Sequence, residues 1–560
     1  MTAFSDLRFV ALGGAGEIGV NAYLYGLEGR WLMVDLGIGF ADDRLPGVDI
    51  VLPDLRFIEE QRSALDGIVI THAHEDHVGA VPYLWQRLGC PVWCTPFAAA
   101  VLRAKLAETE IAREVPINVV EPGERFRVGG FECRFVHVTH SIPDSNALVL
   151  DTPFGRVLHT GDWKLDPAPL VGARTDVATL EAVGREGVLA LVGDSTNVLS
   201  PGTSGSEAEV RESLTRLIAD QPYRVVLTTF SSNIARLETA MLAAHAAGRE
   251  IFVVGRSMRR MIEAAREVGY LKDIPPIRDE REAELLPRDR VLYLCTGSQG
   301  ESRSALVRIA GHQHPRVRLE PGDAVIFSAK IIPGNERTLY NLHNQLVRSG
   351  IEVITEVDHF VHVSGHPCRD EVEQMYRWIK PKIAIPVHGE ARHLHAHQRL
   401  AQDLGIEHAV LIENGDVLRI APGAPEVVDE IPVGRMVMET DGLVEAGDDL
   451  FRTRRRLMNH GTILVSLVLD EEGSILAPPQ LTPLGAFEAD RFGEIKGQVC
   501  DAIADAVEDM SDEAVRDDER VREIVRVALR QALDLPRHRR PIVEVQITRL
   551  SAETLAALEE

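Results

Sequence analysis

The stretch Thr71-His72-Ala73-His74-Glu75-Asp76-His77-Val78-Gly79 decides how this chain is read. Ile68-Val69-Ile70 precedes it and is expected as a buried strand, while Ala80-Val81-Pro82-Tyr83-Leu84-Trp85 follows and is expected as a helix. Imidazoles and a carboxylate gathered at a strand end are hard to explain as packing. They are the ligands that bind zinc or manganese near neutral pH. A structural zinc site would use thiolates and close its shell; this cluster has no thiol, so an open, catalytic site is expected. The competing reading is a solvated His-rich loop, and the polar strand ends farther along the chain weigh against it.

Working outward, several apolar runs end on an acid or a histidine. Leu32-Met33-Val34 leads to Asp35, Val138-Thr139 to His140, Val157-Leu158-His159-Thr160-Gly161 to Asp162, and Val192-Gly193 to Asp194. Strands delivering polar groups to one edge are how α/β proteins build sites. On the amino-terminal side, Gly13-Gly14-Ala15-Gly16-Glu17-Ile18-Gly19 lacks the Lys-Ser/Thr of a nucleotide P-loop and is expected as a tight turn near the site.

Beyond about residue 205, strands and helices alternate regularly to about 355, which predicts a second α/β domain with a parallel sheet. Two glycine turns follow its strands, Gly297-Ser298-Gln299-Gly300-Glu301 and Ile332-Pro333-Gly334-Asn335-Glu336, and free backbone N–H groups there would suit phosphate. Then come His359-Phe360-Val361-His362-Val363-Ser364-Gly365-His366 and a strand, Ile383 to Val387, ending at His388. His393, His395 and His397 follow at spacings of two, which cannot place all three on one helix face; they are expected to be mainly solvated.

His388 lies 226 residues after Asp162, far more than one strand and helix need. If His388 joins the same site, a whole domain is inserted between them. The expected layout is therefore a first domain in two parts, 1–205 and 371–440, an inserted domain at 206–370, a charge-rich linker at 441–460, and a C-terminal α+β unit at 461–560. The linker carries the basic run Arg452-Thr453-Arg454-Arg455-Arg456, read as solvated unless it contacts phosphate. The last unit has no candidate ligand set and is expected to be structural or oligomerising, building a homodimer or homotetramer. From Asp501 to Glu523 it has ten acids against three arginines, an unfavourable RNA face.

Composition narrows the class. The chain has 560 residues, too many for one core, with 45% hydrophobic and 26% charged residues, as in globular proteins. No apolar run reaches membrane-span length, and the first residues lack the pattern of a signal peptide. The six cysteines are scattered, which fits a reducing cytoplasm; Cys90 and Cys94 are expected in the core. A net charge of −25 argues against coating nucleic acid by bulk charge and leaves room for a nuclease with a confined site.

These residues resemble the metallo-β-lactamase superfamily: H-x-H-x-D-H at 72–77, then His140, Asp162 and His388. The insertion, Asp194 and His362/His366 resemble its β-CASP subgroup, and within it the ribonuclease J family. The strings that carry this are Gly14-Ala15-Gly16-Glu17-Ile18-Gly19, Thr139-His140-Ser141-Ile142-Pro143-Asp144-Ser145, Gly193-Asp194-Ser195-Thr196-Asn197, Thr296-Gly297-Ser298-Gln299-Gly300-Glu301, Pro333-Gly334-Asn335-Glu336 and His362-Val363-Ser364-Gly365-His366. Val20 and the segment Val198-Leu199-Ser200-Pro201-Gly202 depart from the family's pattern.

The resemblance implies an αββα sandwich with an inserted α/β β-CASP domain and a small α+β C-terminal domain. It implies two divalent metal ions, zinc first and manganese or magnesium as alternatives. His72, His74 and His140 would hold one; Asp76, His77 and His388 the other; Asp162 would bridge. It implies hydrolysis of single-stranded RNA from a 5′-monophosphate end, with possible endonuclease action, in RNA maturation and decay with protein partners. Asp194 and His366 would move protons; which donates stays open, and Asp194 orienting a histidine is the alternative. His362, Val363, Ser364, Gly365, His366 and Ser298 would grip the 5′-phosphate. A DNA-processing relative is disfavoured by histidine at 388. A small-molecule hydrolase is disfavoured by the inserted domain, a di-iron redox enzyme by His74, and a non-catalytic RNA-binding partner subunit by the complete ligand set.

Overall fold

The structure is a computed structural model that describes residues 6–42, 44–332, 334–440, 442–533 and 540–554. The extreme N-terminus (1–5), Pro333 of the second glycine turn and Asp441 of the expected linker lie outside the described residues. The chain divides into two compact units, one of residues 1–40 and 50–436, the other of 41–49 and 437–560.

In the first unit, two sheets pack face to face. The eight-stranded sheet has the order Glu426–Glu430, Asp416–Ala421, Leu7–Gly13, Ala22–Leu27, Arg30–Val34, Leu65–Val69, Val92–Cys94, Ile117–Val119. The seven-stranded sheet runs Arg125–Val128, Phe131–His137, Asn146–Thr152, Gly155–His159, Ala190–Asp194, Ile383–Val387, His408–Ala409. Phe9, Tyr25, Leu32, Phe131, Phe135, Leu148, Val192 and Ile385 are among the side chains that fill the space between them. Phe131, Cys133 and Phe135 of that strand are buried on one parity, while Val136 is buried on the other. The outer face of the second sheet is covered by the helices Val177–Glu186, Arg369–Ile379 and Ala391–Asp403. This is the expected αββα sandwich.

Ala190–Asp194 and Ile383–Val387 pair in parallel, from Ala190 opposite Ile383 to Asp194 opposite Val387. All residues of both strands are buried, which is why they read as continuous apolar runs and not as alternation. Pro386 is tolerated in so central a strand because the next strand pairs only with Ile383 and Ala384.

Between these paired strands the chain leaves to build a second sheet of six strands, Ile277–Arg278, Glu250–Val254, Val291–Cys295, Val225–Thr228, Ala324–Phe327 and Glu352–Ile354. Every pairing in it is parallel, as the strand–helix alternation predicted. Its departure and return are held by buried charge. Glu371 accepts hydrogen bonds from Ser204 N and Cys368 N, each at 2.8 Å, so one carboxylate clasps both crossing points. Arg236, fully buried, pairs with Glu207 at 2.8 Å and donates to Ser328 O and Val361 O, each at 2.9 Å.

In the second unit, Thr462–Leu469 lies between Ile475–Leu484 and Ile542–Arg549, antiparallel to the first and parallel to the second. Helices Ala489–Glu508 and Asp518–Leu533 contribute Val499, Ile503, Val521 and Val525 to its core. Sequence reading missed Ile475–Leu484, whose Pro478, Pro479 and Pro483 obscure it; an edge strand tolerates them. The stretch expected as a linker is instead structured, with a strand at Gly442–Glu445 and a helix at Asp449–His460. Its basic run is exposed to half-buried, with Arg454 paired to Glu439 at 2.6 Å and Arg452 to Asp449 at 2.8 Å on the surface.

Burial disfavours charge on Glu207, but Arg236 outweighs it and holds the carboxyl down at about 2. Arg236→Met is expected to strand that carboxylate and cost about 3–5 kcal/mol, read as a lowered unfolding midpoint. Because the folded-state value is depressed, the pair's contribution is full above the ordinary value of 4.5 and is lost as pH falls toward about 2. The variant's stability should therefore depend less on pH across that window.

Candidate metal centre

The cluster 72–77 begins just past the strand Leu65–Val69 and turns into the short helix Glu75–Val78. A neighbouring segment presses it into place. Leu36 N donates to His77 O at 2.7 Å and Ile38 N to Glu75 O at 3.0 Å. A Cβ on Gly37 would stand 1.6 Å from Asp76 O, so only glycine allows that approach.

Strand ends deliver the remaining groups. Asp162 follows Gly155–His159, Asp194 ends its strand, and His388 follows Ile383–Val387. One oxygen, Asp162 Oδ2, lies 3.2 Å from His77 Nε2, 3.3 Å from His388 Nε2, 3.7 Å from His72 Nε2 and 3.9 Å from His140 Nε2. His74 Nδ1 lies 3.1 Å from His72 Nε2 and 3.0 Å from His140 Nε2. Asp76 Oδ2 lies 3.6 Å from His77 Nε2 and 3.7 Å from His388 Nε2. The donor atoms fall into two sets that share Asp162: His72, His74, His140 and Asp162, then Asp76, His77, Asp162 and His388. A third grouping of Asp162, Asp194, His366 and His388 abuts them.

The outward nitrogens are tied down. His77 Nδ1 donates to Asp35 Oδ2 at 2.7 Å, and Asp35 also accepts from Thr71 N at 2.8 Å and from the Thr71 hydroxyl. That hydroxyl oxygen is 3.0 Å from His72 Nδ1. His140 Nδ1 donates to Gly365 O at 2.5 Å, and His388 Nδ1 to Asn21 Oδ1 at 2.8 Å. Partners of this kind fix the ring and the tautomer and turn Nε2 toward the centre.

The chemistry of the donors fits divalent cations. Burial keeps His74 down at about 4, and it holds His72 and His140 well below the ordinary range, so all three present neutral lone pairs. At His77 and His388 burial acts the same way but the carboxylates, Asp162 foremost, overcome it and raise both. A pocket that draws protons onto buried imidazoles is one where a cation would take their place. His388 Nε2 is buried and makes no hydrogen bond, an orphan that a cation would satisfy.

His366 Nδ1 pairs with Asp194 Oδ2 at 2.8 Å, and Asp194 Oδ1 accepts from Thr196 N at 2.8 Å. Burial opposes charge on His366, but Asp194 outweighs it and pushes the imidazole up to about 9. The segment from His362 to His366 bridges the inserted domain and the centre. At one end Val361 O is held by Arg236; at the other Gly365 O receives His140, and Ser364 Oγ receives His366 N at 3.0 Å. His362 Nδ1 is buried without a hydrogen bond, and burial with the nearby Arg236 lowers His362 to about 3. Val363 and Ser298 are buried, and Ser298 lies in the glycine turn after Val291–Cys295.

One sequence expectation needs correction. His393 and His397 are buried; only His395 of the three is exposed. Residues 393 and 397 are one helical turn apart, so two can face inward although three cannot. His397 is bonded by Ser195 Oγ at 2.8 Å and Tyr376 OH at 2.9 Å, and neither histidine belongs to a candidate metal grouping. Cys90 and Cys94 are core residues, as expected, and burial pushes both thiols up to about 12. Sequence reading placed Asp35 at a strand end without a role and passed over Asn21 and Thr71. Asp35 carried one signal, an acid closing an apolar run; Asn21 carried none.

Residues 15–228 match the metallo-beta-lactamase superfamily, 222–346 the ribonuclease J beta-CASP domain, 350–411 the Zn-dependent metallo-hydrolase RNA specificity domain, and 450–550 the ribonuclease J C-terminal domain. The chain is 44% identical over 555 residues to ribonuclease J of Sinorhizobium meliloti, covering 98% of each. It is 38% identical over 546 residues to ribonuclease J of Mycolicibacterium smegmatis, covering 96% of each. Against ribonuclease J of Helicobacter pylori it is 34% identical, covering 86% of this chain and 70% of that one. The fold is also similar, at a TM-score of 0.53 and 16% identity, to a crystal structure of a protein of unknown function from Enterococcus faecalis, covering 74% of this chain and 99% of that one.

Stripping cations with a chelator should leave the buried carboxylates facing one another without their counter-charge. The unfolding midpoint is expected to fall and to recover on adding zinc. At a free-ion concentration about 100 times Kd the linkage is about 2.7 kcal/mol per site. A midpoint indifferent to both treatments would contradict a cation-binding centre.

Proposed function

The chain belongs to the ribonuclease J family of the metallo-β-lactamase superfamily, and from that premise we propose that it degrades RNA stepwise from a 5′-monophosphate end. It is a metal-dependent ribonuclease, a hydrolase that binds RNA. In our reading His72, His74 and His140 would hold one divalent ion and Asp76, His77 and His388 a second, with Asp162 belonging to both donor sets. The observation that carries this is the single Asp162 oxygen within 3.9 Å of four Nε2 atoms. Zinc suits a shell rich in imidazole, with manganese or magnesium as alternatives. When bound, such ions acidify water and neutralise charge building on the phosphate.

The chain's own groups do the rest. Asp194 holds the Nδ1 proton of His366, which directs the opposite edge of the ring outward to the leaving 3′ oxygen. In this role His366 gives the proton and Asp194 keeps the ring oriented and charged. Hydrolysis then leaves a 5′-phosphate on the shortened chain, so each product is the next substrate. The cradle for that phosphate is His362 to His366 with Ser298. The buried His362 Nδ1 without a hydrogen bond, and the positive charge of Lys330 and Lys164 acting on that ring, support it. A small cradle between two domains prefers a monophosphate to a triphosphate. It also reconciles RNA binding with a net charge of −25. Cytoplasmic location, work in RNA maturation and decay beside other decay proteins, and assembly as a homodimer or homotetramer through the C-terminal domain belong to the same proposal. Internal cleavage is a second activity within the same proposal.

RNA labelled at its 5′ end and bearing one or three phosphates tests this. Labelled mononucleotide is expected from the monophosphate and little from the triphosphate; labelled longer fragments would show internal cleavage. Equal decay of the two RNAs would count against the cradle, and undiminished activity in His74→Ala would sink the metal mechanism. His366→Ala and Asp194→Asn are expected to lower kcat by about 10²–10⁴-fold with bound metal retained.

A further inference from the structure

We propose that Asn21 is the positioning residue of the second cation set, a single amide that gathers Asp76, His77 and His388 and sets which nitrogen of His388 faces the cation. The inference rests on the two-cation reading given above and concerns a residue outside both donor sets.

Asn21 is fully buried, just before the strand Ala22–Leu27. Its Nδ2 lies 3.0 Å from Asp76 O, 3.0 Å from His77 Nε2 and 3.3 Å from Asp76 Oδ2. Its Oδ1 lies 2.8 Å from His388 Nδ1 and 2.7 Å from Tyr23 OH. The orientation of the amide follows from chemistry. Asp76 O is a carbonyl and can only accept, so the amide atom facing it is the NH2 group. The other atom is then the oxygen, which can only accept, so His388 Nδ1 must carry a proton. On the neutral ring the lone pair is then on His388 Nε2, the atom found 3.3 Å from Asp162 Oδ2 and 3.7 Å from Asp76 Oδ2. One side chain thus joins groups from positions 76, 77 and 388, two of which are more than 300 residues from the third.

Two features of the glycine-rich turn serve this amide. A Cβ on Gly14 would stand 2.5 Å from Asn21 Oδ1 and 2.3 Å from Tyr23 OH, so glycine there makes room for the pair. Gly14 O also accepts from His388 N at 2.6 Å, fixing the backbone that carries the ring. The turn therefore shapes the metal site and need not cradle phosphate. The first donor set has no equivalent dependence. His72 and His140 are oriented by Thr71 and Gly365, and Asn21 touches neither. Removing the amide should loosen one site and spare the other.

The test measures zinc per chain by mass spectrometry across a graded series of zinc buffers, in wild type, Asn21→Ala and Asn21→Leu. The leucine keeps the volume and removes both hydrogen-bonding arms, and far-UV circular dichroism checks folding. Wild type is expected to hold two ions. In both variants the first ion should bind unchanged and the second more weakly by about 10–100-fold. Excess zinc should then restore RNA hydrolysis, which a general loss of structure would prevent. A second ion bound as tightly as in wild type, or both ions weakened alike, would overturn the inference. Fewer than two ions in wild type would instead overturn the two-cation reading, and this inference with it.

Discussion

The parallel ladder between Ala190–Asp194 and Ile383–Val387 is the constraint on which the rest depends. Its last rung sets Asp194 beside Val387, so His388 emerges next to the acid that pairs with His366. Both strands are buried on both faces, and a slip of one residue would exchange the side chains packed between the sheets with those under the helices and carry His388 away from Asp162. The ladder also explains how so long an excursion is tolerated. The chain exits and re-enters at neighbouring positions, and loop-closure cost rises only slowly with length. Glu371 and the Arg236–Glu207 pair then clasp the two crossing points with buried charge.

That geometry concentrates negative charge. Asp35, Asp76, Asp162 and Asp194 surround a handful of imidazoles in a largely dry space. The tension shows as opposed shifts: His72, His74 and His140 are pressed toward neutrality while His77 and His388 are drawn toward charge. The two donor sets thus differ in character. The first is neutral and set by burial; the second is balanced by carboxylates and by the amide of Asn21. In the proposed reading, cations held at this centre supply the local attraction that lets an acidic protein hold a polyanion.

Much of this was legible in the chain. The segment 71–79 announced the chemistry because its spacing repeats ligand types that packing does not require. Strand ends at Asp162, Asp194 and His388 were visible as apolar runs closing on polar residues, and the inserted domain as a change of rhythm. The second-sphere groups were not. Asn21 looks like any turn residue, and His397 like any helical surface histidine, because a hydrogen-bond partner hundreds of residues away leaves no local periodicity. The structured stretch at 442–460 was hidden for a related reason: its short strand and charged helix lack the apolar pattern that marks an element from sequence.

The amino-acid sequence by itself determined which ligand types this protein offers, on which strand ends they stand, and that a domain must intervene before His388. Only the tertiary structure decided that they meet around one Asp162 oxygen, which nitrogen each ring turns inward, and that Asn21 joins residues 76, 77 and 388. The reason is physical. Ligand type and strand pattern are local properties of the chain, whereas tautomer, orientation and counter-charge are set by contacts that exist only once distant strands have paired.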